Sequence, residues 1–239
     1  MPYVAVNELK MYYEIHGEGP ALVLLHGGTG AIPSRWIPYF TPRFRVIAPE
    51  FMGHGRTGDL ANRPFHYRDL AKDTVELMQA LDIERAAVVG YSDGGIVGLE
   101  MAMRSPMRVS RLVVTRANAR FDGYTTANQA WIRTLDPASE PVSSVYAELS
   151  PDGPEHWPVF LGRMKAMWAT EPDFTDEELR TIQAPTLVII GDRDIVTPEH
   201  AVELFRAIPG AQLCVVPNAG HGVMPAQTVL AFLAEEAAA

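Results

Sequence analysis

The chain has almost no cysteine. Cys214 is its only one, so no intrachain disulfide can form. That excludes the small disulfide-stapled secreted folds and suits a reducing compartment. Cys214 lies in a strand-like apolar run and is expected to be a small core residue. Long apolar runs are also missing: none approaches the roughly 20 residues that span a bilayer. Met1 to Lys10 carries no basic stretch followed by an apolar one, so no signal peptide is expected. A cytoplasmic protein without a membrane partner is the expectation. Positive charge is scarce and scattered, with 20 Lys and Arg against 29 Asp and Glu and a formal net charge of −9. Nucleic acid as a main partner is excluded, because phosphate binding relies on clustered Lys and Arg. A cationic substrate is compatible. The histidines are isolated, without the spacing of metal ligands, so no metal is expected. There is no internal repeat, and the only low-complexity segment is the short Ala-rich tail from Ala234.

What is present is an ordinary globular composition. The 239 residues, 47% of them hydrophobic, are enough for one large α/β domain with a full core. Short apolar, β-branched runs at Ala21–Leu25, Phe44–Ala48, Ala86–Val89, Val109–Thr115, Thr186–Ile190 and Leu213–Val216 read as buried parallel strands. Tyr3–Val6 and Leu9–His16 alternate partially, as strands near a sheet edge do. Helices are expected at Ser34–Phe40, with Ser34 as its cap, at His66–Leu81, from Gly95 to near Arg104, at Pro198–Ile208 and from Pro225. Strand and helix in alternation give a mostly parallel sheet with helices on both faces.

The run Ala86-Ala87-Val88-Val89-Gly90-Tyr91-Ser92-Asp93-Gly94-Gly95 organises the rest. A buried strand that feeds directly into a helix needs a sharp turn. Small residues two before and two after its apex let neighbouring backbone pack against it. Ser92 is that apex. Its hydroxyl is held up at the strand's carboxyl end, with the free N–H groups of the helix N-terminus behind it. This suits a nucleophile acting on carbonyl carbon, with fixed donors for the developing oxyanion.

The loop His26-Gly27-Gly28-Thr29-Gly30 also follows a strand. No Lys-Ser or Lys-Thr comes after it, so it is no P-loop, and the G-x-G-x-x-G spacing is absent; no cofactor is expected. Its better use is to bring one backbone N–H beside the nucleophile. The oxyanion donors are therefore assigned to the backbone of Gly28 and Asp93. His26, and His54 between Gly53 and Gly55, read as loop structure.

Between 118 and 183 the pattern changes. No clean strand appears, prolines recur, and short helices are plausible at Gly123–Leu135, Pro141–Leu149 and Pro154–Trp168. This stretch reads as a helical lid inserted into a core made of 1–117 and 184–239, or else as a second small helical domain without a binding role. The lid is preferred because ligands of open α/β sheets bind at the strands' carboxyl ends, where Ser92 otherwise has no walls. Trp131, Trp157, Met164 and Trp168 are its candidate substrate-binding residues, with Gly27 and Asp93 from the core.

Downstream strand ends supply an acid and a base: Asp192 or Asp194, then His221 between Gly220 and Gly222. In mechanism His221 takes the Ser92 proton, and a buried carboxylate fixes its tautomer and stabilises the imidazolium. Nucleophile, acid, base is the chain order of one triad arrangement.

At this point the chain resembles the α/β-hydrolase superfamily over nearly its whole length. The carriers are His26-Gly27-Gly28, Gly90-Tyr91-Ser92-Asp93-Gly94-Gly95, Gly191-Asp192-Arg193-Asp194 and Gly220-His221. The resemblance implies the α/β-hydrolase fold and puts the acid at Asp194. The loop Pro49 to Thr57 departs from the usual pattern, with Glu50, Met52 and Thr57 where that pattern has Asp, Arg and Ser. Arg68-Asp69-Leu70-Ala71-Lys72-Asp73, Ser92-Asp93-Gly94-Gly95 and Ala117-Asn118-Ala119 are similar to the valacyclovir-hydrolase (biphenyl hydrolase-like) branch. Its members cleave esters of α-amino acids and use the Asp after the serine to hold the substrate's ammonium group. That role would fall on Asp93, which could equally just cap the helix.

A serine esterase forming an acyl-enzyme on a small-molecule ester is thus expected. Lactonases, carbon–carbon bond hydrolases and perhydrolases share the framework. A receptor that keeps the fold and turns over slowly is the alternative of another class.

Overall fold

The computed structural model describes residues 2–234. Eight strands form one sheet in the order β1-β2-β4-β3-β5-β6-β7-β8. They are β1 (Tyr3–Val6), β2 (Leu9–His16), β3 (Ala21–Leu25), β4 (Arg45–Pro49), β5 (Ala86–Tyr91), β6 (Val109–Thr115), β7 (Thr186–Gly191) and β8 (Gln212–Val216). β2 runs antiparallel to both β1 and β4, and every later pairing is parallel. The mixed sheet with helices on both faces agrees with the sequence reading.

The inner strands β3, β5 and β7 are apolar almost throughout because both faces are covered. Val23 and Leu25 of β3 face one core layer, with Val88 of β5 and Val188 and Ile190 of β7. Leu22 and Leu24, Val89, Leu187 and Ile189 face the other. The first layer is closed by α2 (Tyr67–Ala80) and α3 (Asp93–Arg104), the second by α1 (Ile37–Phe40) and α9 (Ala226–Ala234). α8 (Pro198–Ala207) packs along β7 and β8. The Ala-rich tail, beyond Ala234, lies outside the described residues, as does Met1.

Three local expectations are corrected. Ser34 does not cap α1: its Oγ donates to the Ile32 carbonyl at 3.3 Å. The helix starts three residues later at Ile37, with Pro38 in its first turn, where a fixed φ costs nothing and the missing N–H is not needed. Cys214 is only half-buried, because β8 is an edge strand. The helices between β6 and β7 depart from their sequence bounds: α4 (Thr126–Thr134) and α5 (Ser144–Leu149) are shorter, α6 (Trp157–Thr170) starts three residues later and ends two later, and a short α7 (Asp176–Leu179) was not expected. An antiparallel bridge between Arg120 and Asp173 closes the neck of this stretch. No helix among the described residues is long and apolar enough to cross a membrane.

Candidate active site

β5 ends at Tyr91 and α3 begins at Asp93, so a single residue makes the turn. Ser92 takes φ 52° and ψ −123°, a strained conformation for a residue with a Cβ and one that persists only where the surroundings enforce it. They do. A Cβ on Gly90 would stand 2.2 Å from the Gly94 carbonyl oxygen, and one on Gly94 would stand 2.5 Å from the His26 carbonyl oxygen. Strand, helix and the loop after β3 meet too closely for any side chain there.

Two further strand-end loops bring their side chains to Ser92. Its Oγ lies 3.0 Å from Nε2 of His221, and Nδ1 of His221 lies 2.6 Å from Oδ1 of Asp194. Asp194 also accepts the N–H of Ile195 at 2.8 Å on that oxygen, while Oδ2 pairs with the Arg116 guanidinium. Burial pushes the Asp194 carboxyl up, but the hydrogen bond and charge of His221 and the Arg116 pair outweigh it, and the net direction is down. An ionised carboxylate therefore sits against Nδ1 and holds the imidazole proton there. Asp192 is spent elsewhere, accepting the Ala219 N–H at 3.1 Å.

The loop after β3 is fixed by His26, which is buried. Its Nδ1 is 2.7 Å from the Gly27 carbonyl, and its Nε2 accepts the Phe51 N–H at 3.1 Å. Burial lowers its pKa to about 4, so it stays neutral and structural. Gly28 then lies against the start of α3.

A cavity of about 140 Å³ opens beside Ser92 and His221. Gly28, Asp93, Tyr124, Trp131, Ile132, Trp168 and Ile195 line it. Asp93 is 4% exposed. One oxygen accepts the Tyr67 hydroxyl at 3.0 Å and the other accepts Trp168 Nε1–H at 2.9 Å. Burial raises its pKa against the lowering effect of those two hydrogen bonds. No Lys or Arg among the described residues pairs with it. A second, larger groove of about 420 Å³ shares Gly28 and runs past Gly27, Tyr91, Trp36 and Val145 toward Glu50 and Arg56.

Ser92, Asp194, His221, Gly28, Asp93, Trp131 and Trp168 thus come together, and Gly27 borders the larger groove. Trp157 and Met164 do not reach the cavity. Trp157 packs edge-on against Tyr146 and tilted against Phe160, with ring centroids 5.2 and 5.6 Å away, and Met164 is fully buried. α6 buries Trp157, Phe160, Leu161, Met164, Met167 and Trp168 along one stripe. Only its carboxyl end, at Trp168, touches the site. Sequence reasoning missed Tyr67, Tyr124, Ile195 and Arg116. Arg116 alone left a visible sign, a charge directly after an apolar strand.

The sequence pattern described as Alpha/beta hydrolase family matches residues 22–235. The chain belongs to the α/β-hydrolase family. A putative carbamate hydrolase, RutD, of Caulobacter sp. (strain K31) is 32% identical over 95% of this chain and 97% of its own length. The serine hydrolase BPHL of Mus musculus is 30% identical over 92% of this chain and 79% of its own. Among solved structures, the enol-lactonase from Burkholderia xenovorans LB400 superposes with a TM-score of 0.74 at 28% identity, covering 98% of this chain and all of that one (100%). This member is a hydrolase of small molecules.

Proposed function

We propose that this hydrolase cleaves carboxylic esters through an acyl-enzyme on Ser92, with acyl groups that carry an ammonium. The spacing of 3.0 Å from Ser92 Oγ to His221 Nε2 and 2.6 Å from His221 Nδ1 to Asp194 is the observation that carries it. His221 takes the Ser92 proton as Oγ attacks the carbonyl carbon. The N–H groups of Gly28 and Asp93 receive the oxyanion. His221 then protonates the leaving alcohol, and a water deprotonated by His221 releases the acid.

Asp93 supports the finer reading. A buried carboxylate with only neutral donors, in the wall of a small cavity beside the nucleophile, lacks a counter-charge. An ammonium would supply it, in a water-poor site where the attraction is strong. Trp131, Trp168 and Tyr124 line the same cavity, where aromatic rings would favour the cation. The acyl group is small, because its chamber is, and the leaving group takes the larger groove. Residues 118–183 act as the lid, since α4 and α6 supply Trp131, Ile132 and Trp168.

The test is a panel of aminoacyl esters, neutral esters of equal size, lactones, β-diketones and carbamates, run beside Ser92→Ala. The reading expects the highest kcat/KM on aminoacyl esters and a loss on the order of 10⁴-fold in Ser92→Ala. Preference for carbamates would instead favour the chemistry named for the Caulobacter relative. Unchanged turnover in Ser92→Ala would contradict the triad. A single stoichiometric release of p-nitrophenol without turnover would indicate a receptor.

A further inference from the structure

Arg116 is a cation that the chemistry above does not use, and its side chain has no exposed surface. It follows β6 directly, with φ 57°, a left-handed conformation that is unfavourable for a residue with a Cβ. Its backbone N–H is bound to the Ile189 carbonyl at 2.8 Å, which fixes the turn and sends the side chain beneath the strand ends. There the guanidinium divides its donors. Nη1 pairs with Oδ2 of Asp194, the oxygen that His221 does not use. Nε donates to the Val223 carbonyl at 2.9 Å, two residues beyond His221. Gly191 leaves the passage open, since a Cβ there would stand 2.5 Å from Nη1. One side chain thus ties the end of β6 to the loop carrying the acid and to the loop carrying the base.

We propose that Arg116 is a positioning residue of the triad: it orients the Asp194 carboxylate and the His221 loop as one unit, and its charge limits how strongly Asp194 stabilises the imidazolium. This rests on the triad reading above. A carboxylate held at one oxygen by His221 and the Ile195 N–H can still pivot about that edge, and a second charged bond on the other oxygen stops it. The same cation offsets part of the carboxylate's charge as felt at the His221 ring. The other charged or titratable groups facing His221 are Asp93 at the start of α3, Tyr91 at the end of β5, and Arg35, whose Nη2 donates to the Gly222 carbonyl at 3.2 Å. Asp192 and Arg193 stand on the outer side of the loop, bound to Ala219 and Asn218. None of them touches Oδ2 of Asp194.

The experiment compares Arg116→Gly, Arg116→Gln and Arg116→Lys with the wild type and Ser92→Ala across a full pH profile. Glycine relieves the left-handed backbone and leaves room for a guanidinium ion. Glutamine keeps a donor for Asp194 without charge, and lysine keeps charge without the fork. Arg116→Gly should lower kcat roughly 10- to 100-fold with little change in KM, the scale of a small misplacement of a catalytic group. In Arg116→Gly and Arg116→Gln the acid limb of kcat/KM should move up by about one pH unit. Arg116→Lys should keep the limb in place. Guanidinium chloride at non-denaturing concentration should raise the rate of Arg116→Gly, and sodium chloride at equal ionic strength should not. Should Arg116→Gly not fold, the limb of Arg116→Gln alone decides, up for the proposal and unmoved against it. A lower kcat with an unmoved limb and no response to guanidinium would make Arg116 merely structural and overturn the proposal. If Ser92→Ala is inactive while all three Arg116 variants behave as wild type, the triad stands and the clamp falls. If Ser92→Ala is active, the triad reading itself falls.

Discussion

Gly28 lies against the carboxylate of Asp93: a Cβ at Gly28 would stand 2.4 Å from Oδ2 and 2.9 Å from the Trp168 ring. The loop after β3 and the start of α3 therefore meet without space for one methyl group. Gly28→Ala should push Asp93 off Trp168 Nε1 and tilt the Gly28 N–H away from the oxyanion. Loss of one such donor costs about 10²- to 10³-fold in kcat. Steady-state kinetics on any accepted ester checks this, and kcat within threefold of wild type would contradict it.

Asp93→Asn separates anchoring from capping. Asparagine can still accept from Trp168 with its oxygen and donate to the Tyr67 hydroxyl with its amide, so the pocket keeps its shape. The kcat/KM for an aminoacyl ester should fall on the order of 10- to 100-fold, the worth of a charge-assisted contact, and that for a neutral ester of equal size should barely change. Equal losses on both would remove the ammonium role.

The same variant has a stability signature. Burial raises the Asp93 carboxyl above its ordinary 3.8. Above that pH the folded state keeps a proton that the unfolded chain releases, so this group's contribution to stability declines as pH rises. Asp93→Asn should therefore unfold at a higher temperature than wild type at pH 7, with the gap closing toward pH 4. A Tm below wild type at neutral pH would be the opposite result.

His54 works in the other direction. It is buried, its Nδ1 lies 2.9 Å from the Met52 carbonyl, and burial and the neighbouring His26 lower it to about 3. His26 is lowered to about 4. Below pH 6.5 the unfolded chain binds protons at both rings that the folded state refuses, so their share of stability is lost as pH falls from 6.5 toward 4. Replacing His54 by Gln should flatten the fall by up to about 1.4 kcal/mol per pH unit. Denaturant midpoints at pH 7, 6 and 5 measure it, and parallel wild-type and variant curves would contradict it.

Trp168 and Trp157 stand eleven positions apart on α6 and should respond differently. Trp168→Phe removes the donor to Asp93 and should raise KM for aminoacyl esters by about tenfold or more, the worth of one hydrogen bond to a charged group. Trp157→Ala should destabilise by about 3–5 kcal/mol while the folded protein keeps its kcat.

These outcomes bear on what the sequence could express. The β5 run with Ser92 announces itself because a strand-to-helix turn of one residue admits only small neighbours, and Gly90 and Gly94 stand where those contacts fall. Strand identity was legible for a similar reason, since a sheet covered on both faces is apolar at every position, as in Leu22 to Leu25. Depth along a helix was not legible. Trp157, Met164 and Trp168 share one apolar stripe of α6, and only the tertiary path of the helix decides that Trp168 alone reaches the cavity. Tyr67 was hidden for a like reason, and Arg116 showed only as a charge directly after an apolar strand, with nothing to name its partner. Their partners, Asp93 and Asp194, lie 26 and 78 positions away, and periodicity reports nothing about such pairs. Ser34 misled because a serine before an apolar run is a cap only if the backbone turns there, and here Pro38 sets the start.

The most direct test of the account is covalent labelling with a fluorophosphonate, followed by peptide mass spectrometry. It predicts one adduct per chain, on Ser92, absent in Ser92→Ala and strongly slowed in His221→Ala. Labelling at another residue, or an undiminished rate without His221, would contradict it.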